Sequence, residues 1–153
     1  MSVRTLVLPA PPERVFAILE DPTTLATFVV GSRTIRHFDP RWPEVGTRAH
    51  HSVGIGPLVI RDSTEVLAED TPHRLVLEAR VRPFGTATVE FRLADHPDGT
   101  ELTVTERPRT GPMALPVVAA VVDVLMGIRN VELGRRLTRL VERREAQRAR
   151  AGA

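Results

Sequence analysis

The 153-residue chain has no cysteine and no tyrosine, and all 21 of its basic residues are arginine. Without thiols there can be no disulfide, thiolate nucleophile or thiolate metal site. Without lysine there is no Schiff base, and without tyrosine no phenolic acid. Aromatic residues make up 4% of the chain, with Trp42 the single tryptophan, so little is available for stacking on a ligand. Charge of one sign is also scarce. The formal net charge is +2, so the sequence pI of about 10.7 reflects arginine usage and gives weak grounds for a nucleic-acid partner. A long hydrophobic run is missing too: the apolar stretch at 113–128 is about 16 residues, interrupted by Asp123, against about 20 for a membrane span. "MSVRTLVLPAPPERV" lacks a secretory pattern, because Arg4 and the prolines break its short apolar run, and a cytoplasmic protein is expected. Arginine without lysine, amid abundant Ala, Val and Pro, points to a GC-rich bacterial coding bias.

What remains is an apolar fraction of 42% with 26% charged residues, the balance of one globular domain large enough for a single core. "VRTLVL" (3–8) is a β-branched strand ended by Pro9. "PAPPERVFAILEDP" predicts a helix with proline and Glu13 in its first turn and Val15, Phe16, Ile18 and Leu19 on one face. Asp21 suits the N-cap of a second short helix carrying Leu25, Phe28 and Val29, with Gly31 at its C-cap. From Arg33 to Arg107 the texture becomes extended, with strands expected near 33–38, 47–54, 57–68, 74–82, 86–95 and 100–107. The breaks "DPRWPEVG", "GIGP", "EDTPH", "RPFGT" and "HPDG" are short, so successive strands form an antiparallel meander.

Period-two alternation gives this sheet a dry and a wet side. Leu75, Leu77 and Ala79 oppose Arg74, Glu78 and Arg80, while Val89, Phe91 and Leu93 oppose Glu90 and Arg92. The dry side requires a cover. A helix from about Pro116, roughly 50 Å long, supplies it, apolar nearly all round in its first half and arginine-rich and amphipathic in its second. The domain is expected to span 1–147, with 148–153 a disordered Arg/Ala/Gly tail.

The order strand, two short helices, six-stranded run and long C-terminal helix resembles the START-like or Bet v 1-like helix-grip superfamily, also called SRPBCC. Local cues resemble its polyketide cyclase/dehydrase-like bacterial branch: "APPERVFAILEDP", "WPEVGTR", "EVLAEDTPHRLVLEA" and "DGTELTVTE". The resemblance covers nearly the whole chain and implies an α+β fold of about seven antiparallel strands gripping the helix. It further implies a cavity between sheet and helix for a lipid, sterol, polyketide or other apolar molecule, which some members transform and others only bind or carry. Members often have a tryptophan in the second short helix, where this chain has Phe28.

Inward-facing residues are then the candidates. The sheet contributes Leu77, Ala79, Val89, Phe91 and Val104 to the expected lining. The helix contributes Val118, Val122, Leu125 and Met126. Polar groups at inward positions are the candidate anchors or catalysts: His51, Asp62 and Glu106. In "RAHHSVGIGPLVIRD" adjacent strand residues face opposite ways, so His51 faces in with Ala49 while His50 faces out with Arg48 and Ser52. A zinc site needs three or four clustered ligands, and no such cluster is visible, so no metal or cofactor is expected. A tight hairpin through "GIGP" would set His51 opposite Ile60 and Ala49 opposite Asp62, making His51 and Asp62 diagonal neighbours. Such a pair is either a dyad in which Asp62 orients His51 as a general base or a hydrogen-bonded pair without catalytic use. Glu106 is either a cavity acid or a wet strand end beside Arg107 and Arg109, and Asp123 is either at the cavity mouth or paired at the surface. His37, His73 and His96 fall at strand ends or turns and are read as solvated, while Trp42 is read as a lid on the core. Glu132, Glu142 and Glu145 interleave the arginines of the last helix as on a solvated face.

Three functions fit these features: binding or transport of a small hydrophobic ligand, a polyketide cyclase- or dehydratase-type lyase or isomerase using His51 as base, and a non-catalytic interaction domain. The expected partner is a small hydrophobic molecule, with no nucleic acid and no transmembrane segment, in a monomer or homodimer.

Overall fold

The computed structural model describes the backbone of residues 1–24, 32–55, 58–81, 85–111 and 116–152, and their side chains except at 32, 33, 53–55, 58, 60, 81 and 116–130. Seven strands form one antiparallel sheet: β1 (Ser2–Leu8), β2 (Ser32–Phe38), β3 (Arg48–Ile55), β4 (Leu58–Asp70), β5 (Arg74–Val81), β6 (Gly85–His96) and β7 (Gly99–Thr110). Among the described residues, α1 (Pro12–Glu20) and α2 (Pro116–Ala151) flank them, with a helical turn at 22–24. The spatial order β1-β7-β6-β5-β4-β3-β2 is the expected meander with the first strand laid beside the last. This is the α+β helix-grip architecture.

Local chemistry accounts for the elements. Pro12 opens α1, where a missing N–H costs nothing, and Val15, Phe16, Ile18 and Leu19 are buried on one face. Asp21 caps the next turn, residues 22–24, its Oδ1 accepting from the Thr23 N–H at 2.9 Å and hydroxyl at 2.6 Å. The rest of the second expected helix, with Leu25, Phe28, Val29 and Gly31, lies outside the described residues. Trp42 packs against the core, its indole N–H donating to the Glu20 carbonyl at 2.5 Å.

The core gathers one end of the sheet's inner side, α1, and the second half of α2. Leu8, Phe16, Leu19, Leu75, Phe91, Leu93, Leu102, Leu133, Leu137 and Val141 belong to one buried cluster. Ion pairs of Arg14 with Glu145 (2.9 Å) and Arg144 with Asp21 (3.7 Å) tie the end of α2 to α1 and the turn after it. The helix continues through Ala151, so residues 148–151, expected to begin a disordered tail, are helical. The physical reason is composition: "EAQRARA" contains only good helix formers.

The outer side is charged, yet Val76 on it is only 6% exposed. Its cross-strand partner Glu90 binds both Arg74 (2.7 Å) and Arg92 (2.9 Å), and Glu78 binds Arg109 (2.9 Å), so long ion-paired side chains shield the valine. The Arg74 hydrogen bond, with Arg92 assisting, holds the Glu90 carboxyl below its ordinary pKa against the opposing effect of burial.

Candidate functional site

The β3–β4 hairpin positions the histidine. Its pairing runs from Arg48 opposite Glu65 to Ile55 opposite Leu58, which leaves two residues, 56 and 57, between the strands. His51 therefore stands directly opposite Asp62, and Val53 opposite Ile60. This corrects the expected pairing of His51 with Ile60. The two-residue turn falls at 56–57, one residue later than that pairing places it, and moving the turn by one shifts each partner by two, which preserves the face because side chains alternate with period two. Direct opposition brings the two Cβ atoms to about 4.5–5.5 Å, closer than a diagonal.

Both groups are inside: His51 is 7% exposed and Asp62 4%. Asp62 Oδ1 accepts the Ser63 N–H at 3.0 Å, and the Arg36 guanidinium donates to the His51 carbonyl at 3.4 Å. Burial pushes the His51 imidazole below its usual pKa, with Arg36 and His50 adding to the shift. A hydrogen bond to the Ala49 backbone and the nearby Asp62 carboxylate oppose it. The neutral imidazole, with a free nitrogen lone pair, is thus favoured at neutral pH.

A stability effect follows from that shift. The unfolded chain binds the His51 proton more readily than the folded one, so unfolding free energy rises with pH between the depressed folded pKa and the ordinary value near 6.5. The contribution is present above about pH 6.5 and is lost as pH falls through that window. Urea midpoints measured at pH 7.5 and 5.5 should differ less in His51→Gln than in the parent; equal differences would remove His51 as a source.

The neighbouring histidine does something else. His50 stacks on its cross-strand partner His37 with ring centroids 6.2 Å apart, and His37 is exposed. Ser52, expected to face out beside His50, is only 9% exposed, flanked in register by Thr34 and Arg61, so a small side chain between larger neighbours is shaded. His73 is exposed as expected, and His96 sits 3.8 Å from Asp98.

The rows crossing the inner side differ in size. One runs Leu93, Leu102, Leu6, and the next Leu75, Phe91, Val104, Arg4. Then come Val66, Leu77, Val89 and Glu106, with Ser2 at the edge. The following row runs Phe38, Ala49, Thr64, Ala79, Ala87 and Pro108, with small residues at its four middle positions, and His51 and Asp62 stand just beyond it. Large side chains fill one end of the sheet, and at the other β3 to β6 carry small or polar ones, with Ile35 and Phe38 beside them on β2. Of the expected lining, Leu77, Val89, Phe91 and Val104 are in the packed core cluster, while Ala79 is half-buried and outside it. The side chains of Val118, Val122, Leu125 and Met126, and of Asp123, lie outside the described residues.

Glu106 is buried, 5% exposed, so it is not a wet strand end. It lies on β7, three strands from Asp62 on β4, or about 14 Å along the sheet at the usual strand spacing of about 4.8 Å. The structure pairs His51 with Asp62 and sets Glu106 in another row. Thr64, 8% exposed between Ala49 and Ala79, is a polar inner residue that the sequence reading missed. The signal was the alternation itself, since 62, 64 and 66 share a side. Among the described residues no group of three or more His, Asp or Glu could hold a metal ion, and no helix is long and apolar enough to cross a membrane.

Comparisons with known proteins agree with this architecture. No curated protein sequence matches the chain. Protein CV1439 of Chromobacterium violaceum superposes with a TM-score of 0.72 at 22% identity, over 92% of this chain and 96% of its own. Protein NE0264 of Nitrosomonas europaea gives 0.71 at 17%, over 95% and 96%. SA2116 of Staphylococcus aureus, a protein of unknown function, gives 0.72 at 8%, over 95% and 94%. At such identities these structures share the fold alone. The family model described as polyketide cyclase / dehydrase and lipid transport matches residues 2–144, and on that match, nearly the full chain, this protein belongs to that family.

Proposed function

We propose that the chain binds, and in the cell carries, a small hydrophobic molecule such as a lipid or polyketide over the small-residue end of its sheet. The observation that carries this reading is the row Ala49, Thr64, Ala79, Ala87, set beside the buried polar pair His51 and Asp62. Small side chains leave volume above the sheet, and a few placed polar groups in an apolar wall orient a ligand. Val118, Val122, Leu125 and Met126 of α2 are proposed as the facing wall. Membership of a family described by both cyclase and lipid-transport activities supports the ligand class.

Native mass spectrometry of freshly purified protein, with melting curves against sterols, fatty acids and polyketides, tests the reading. Ligand at 100 times its Kd stabilises by about 2.7 kcal/mol, a shift of roughly 5–10 °C at this chain length. An empty protein unmoved by the whole panel would refute it.

A second reading is favoured by the direct His51–Asp62 pairing and the neutral imidazole. His51 takes a proton from carbon next to a ligand carbonyl, Asp62 orients the ring, and an arginine steadies the enolate. His51→Ala should then abolish turnover of a candidate polyketide while leaving its affinity within a few-fold, and retained turnover would end this reading.

A further inference from the structure

A groove of about 820 Å³ runs along the edge of the sheet between β1 and the second half of α2. Its sheet wall is Arg4 and Leu6, and its helix wall includes Val131, Gly134, Arg135 and Arg139. It lies apart from His51 and Asp62, which are on β3 and β4 at the other side of the sheet.

The charges in this groove are unbalanced. Arg4 alternates inward on β1 and is half-buried beside Leu6, and it has no ion pair among the described residues. Arg135 has none within 4 Å either, although it helps hold the Glu132 carboxyl below its ordinary pKa. That carboxylate is the one acidic group lining the groove. Arg136, outside the lining, holds it at 2.8 Å, and Arg139 reaches it only at 3.7 Å. Two guanidiniums thus face the groove with no carboxylate of their own, one of them half-buried, where a counter-charge gains more than in bulk water. Guanidinium forks fit carboxylate and phosphate oxygens two at a time.

The floor between the charges is apolar, with Leu6 and Val131 half-buried on its two walls. At Gly134 an added Cβ would meet Arg4 Nε at 3.8 Å and Leu6 Cδ1 at 3.9 Å, ordinary contact distances, so an alanine would fit and would favour the helix by about 1 kcal/mol. Gly134 is itself buried, so α2 lies close to β1 there, and the apolar surface left to a ligand is that of the half-buried Leu6 and Val131. The Thr138 hydroxyl, also on the helix wall, donates back to the Gly134 carbonyl at 3.0 Å.

We propose that this groove binds a single-chain anionic amphiphile, its carboxylate or phosphate head held by Arg4 and Arg135 and its alkyl chain along Leu6 and Val131. The site is separate from the cavity proposed above and does not depend on it.

The test is titration of the full-length protein with decyl phosphate and decanoate below their aggregation thresholds, with inorganic phosphate, decanol and decyltrimethylammonium as controls. Calorimetry supplies the affinities, and the arginine Nε–Hε and His51 imidazole NMR signals supply the position. Both anions should bind at least tenfold more tightly than decanol or the cation, and more weakly as salt rises from 50 to 500 mM. Arg135→Glu, at an exposed position that leaves the core intact, should lower affinity at least tenfold, and Arg4→Gln should lower it comparably. Inorganic phosphate binding as tightly as decyl phosphate would overturn the amphiphile assignment. Decanol binding as tightly as the anions, or Arg135→Glu binding normally, would overturn the groove. Were the His51 signals to move and the Arg4 and Arg135 signals to stay, the anion would be in the cavity, which ends this proposal while supporting the other.

Discussion

Gly99→Ala lowers the unfolding free energy by about 4 kcal/mol or more, among the largest effects expected of a single methyl group. Gly99 has φ +133, a backbone conformation L side chains rarely adopt, and its added Cβ would lie 2.1 Å from the Leu8 carbonyl oxygen and 2.8 Å from the Ala10 nitrogen. Both collisions are with backbone, so no rotamer relieves them. The dihedral itself costs about 1–3 kcal/mol. Moving the chain aside also disturbs the end of the β1–β7 ladder, where Leu8 pairs with Thr100 and the fully buried Thr100 hydroxyl donates to the Ala10 carbonyl at 2.6 Å. Losing that bond adds about 1–2 kcal/mol. Gly46 is the control: φ is +87 but nothing lies within 4 Å of an added Cβ, so Gly46→Ala incurs the dihedral cost alone, about 1–2 kcal/mol. Urea unfolding with unchanged m-values measures both. Midpoints lowered equally in the two variants would show that the approach of β1 to Gly99 has no energetic weight.

Ala79→Phe abolishes ligand binding, a loss of at least 100-fold, and lowers the melting temperature by less than about 3 °C. A phenyl ring introduced into a close-packed core strains it by about 1–3 kcal/mol. Over an open floor it fills space that water or ligand would occupy, and the cost is small. Ala79 is half-buried and outside the packed cluster, whereas Leu77, its neighbour on the same side, is 4% exposed within it. Ala87, directly opposite Ala79, is 7% exposed, so Ala87→Phe is the buried contrast and should cost about 1–3 kcal/mol. Binding is read by native mass spectrometry and by the ligand-induced melting shift. A variant that melts near the parent and still takes up ligand would dismiss the floor as part of the site; one that loses stability by several kcal/mol would show the row already filled.

Much of this molecule is written locally. Alternation along 74–95 and 100–106 marks the inner side correctly, because a sheet with one dry face imposes period two on its residues. The turn chemistry at "EDTPH" and "HPDG" places hairpins where β4–β5 and β6–β7 turn back. The inner position of His51, Asp62 and Glu106 was legible from the same alternation, but the burial of Glu106, which reads equally as a wet strand end, was not.

Contacts between distant segments were not legible. Nothing in "VRTLVL" says that β1 lies antiparallel to β7, with Arg4 beside Val104 and α2. The partner of an edge strand is chosen by chain geometry far along the sequence. The register of β3 on β4 depended on where in "GIGP" the chain turns, which the turn residues leave open by one position, and only the folded hairpin set Asp62 opposite His51. Sequence by itself determined the element order, the two-sided sheet, the covering helix and the inward polar residues, since each is imposed by local periodicity, capping or turn chemistry. Tertiary structure alone decided which inward residues meet: His51 with Asp62, Glu106 in a separate row, Arg4 with the flank of α2. Pairing across strands and packing across elements are set by chain closure and core volume, which no local window contains.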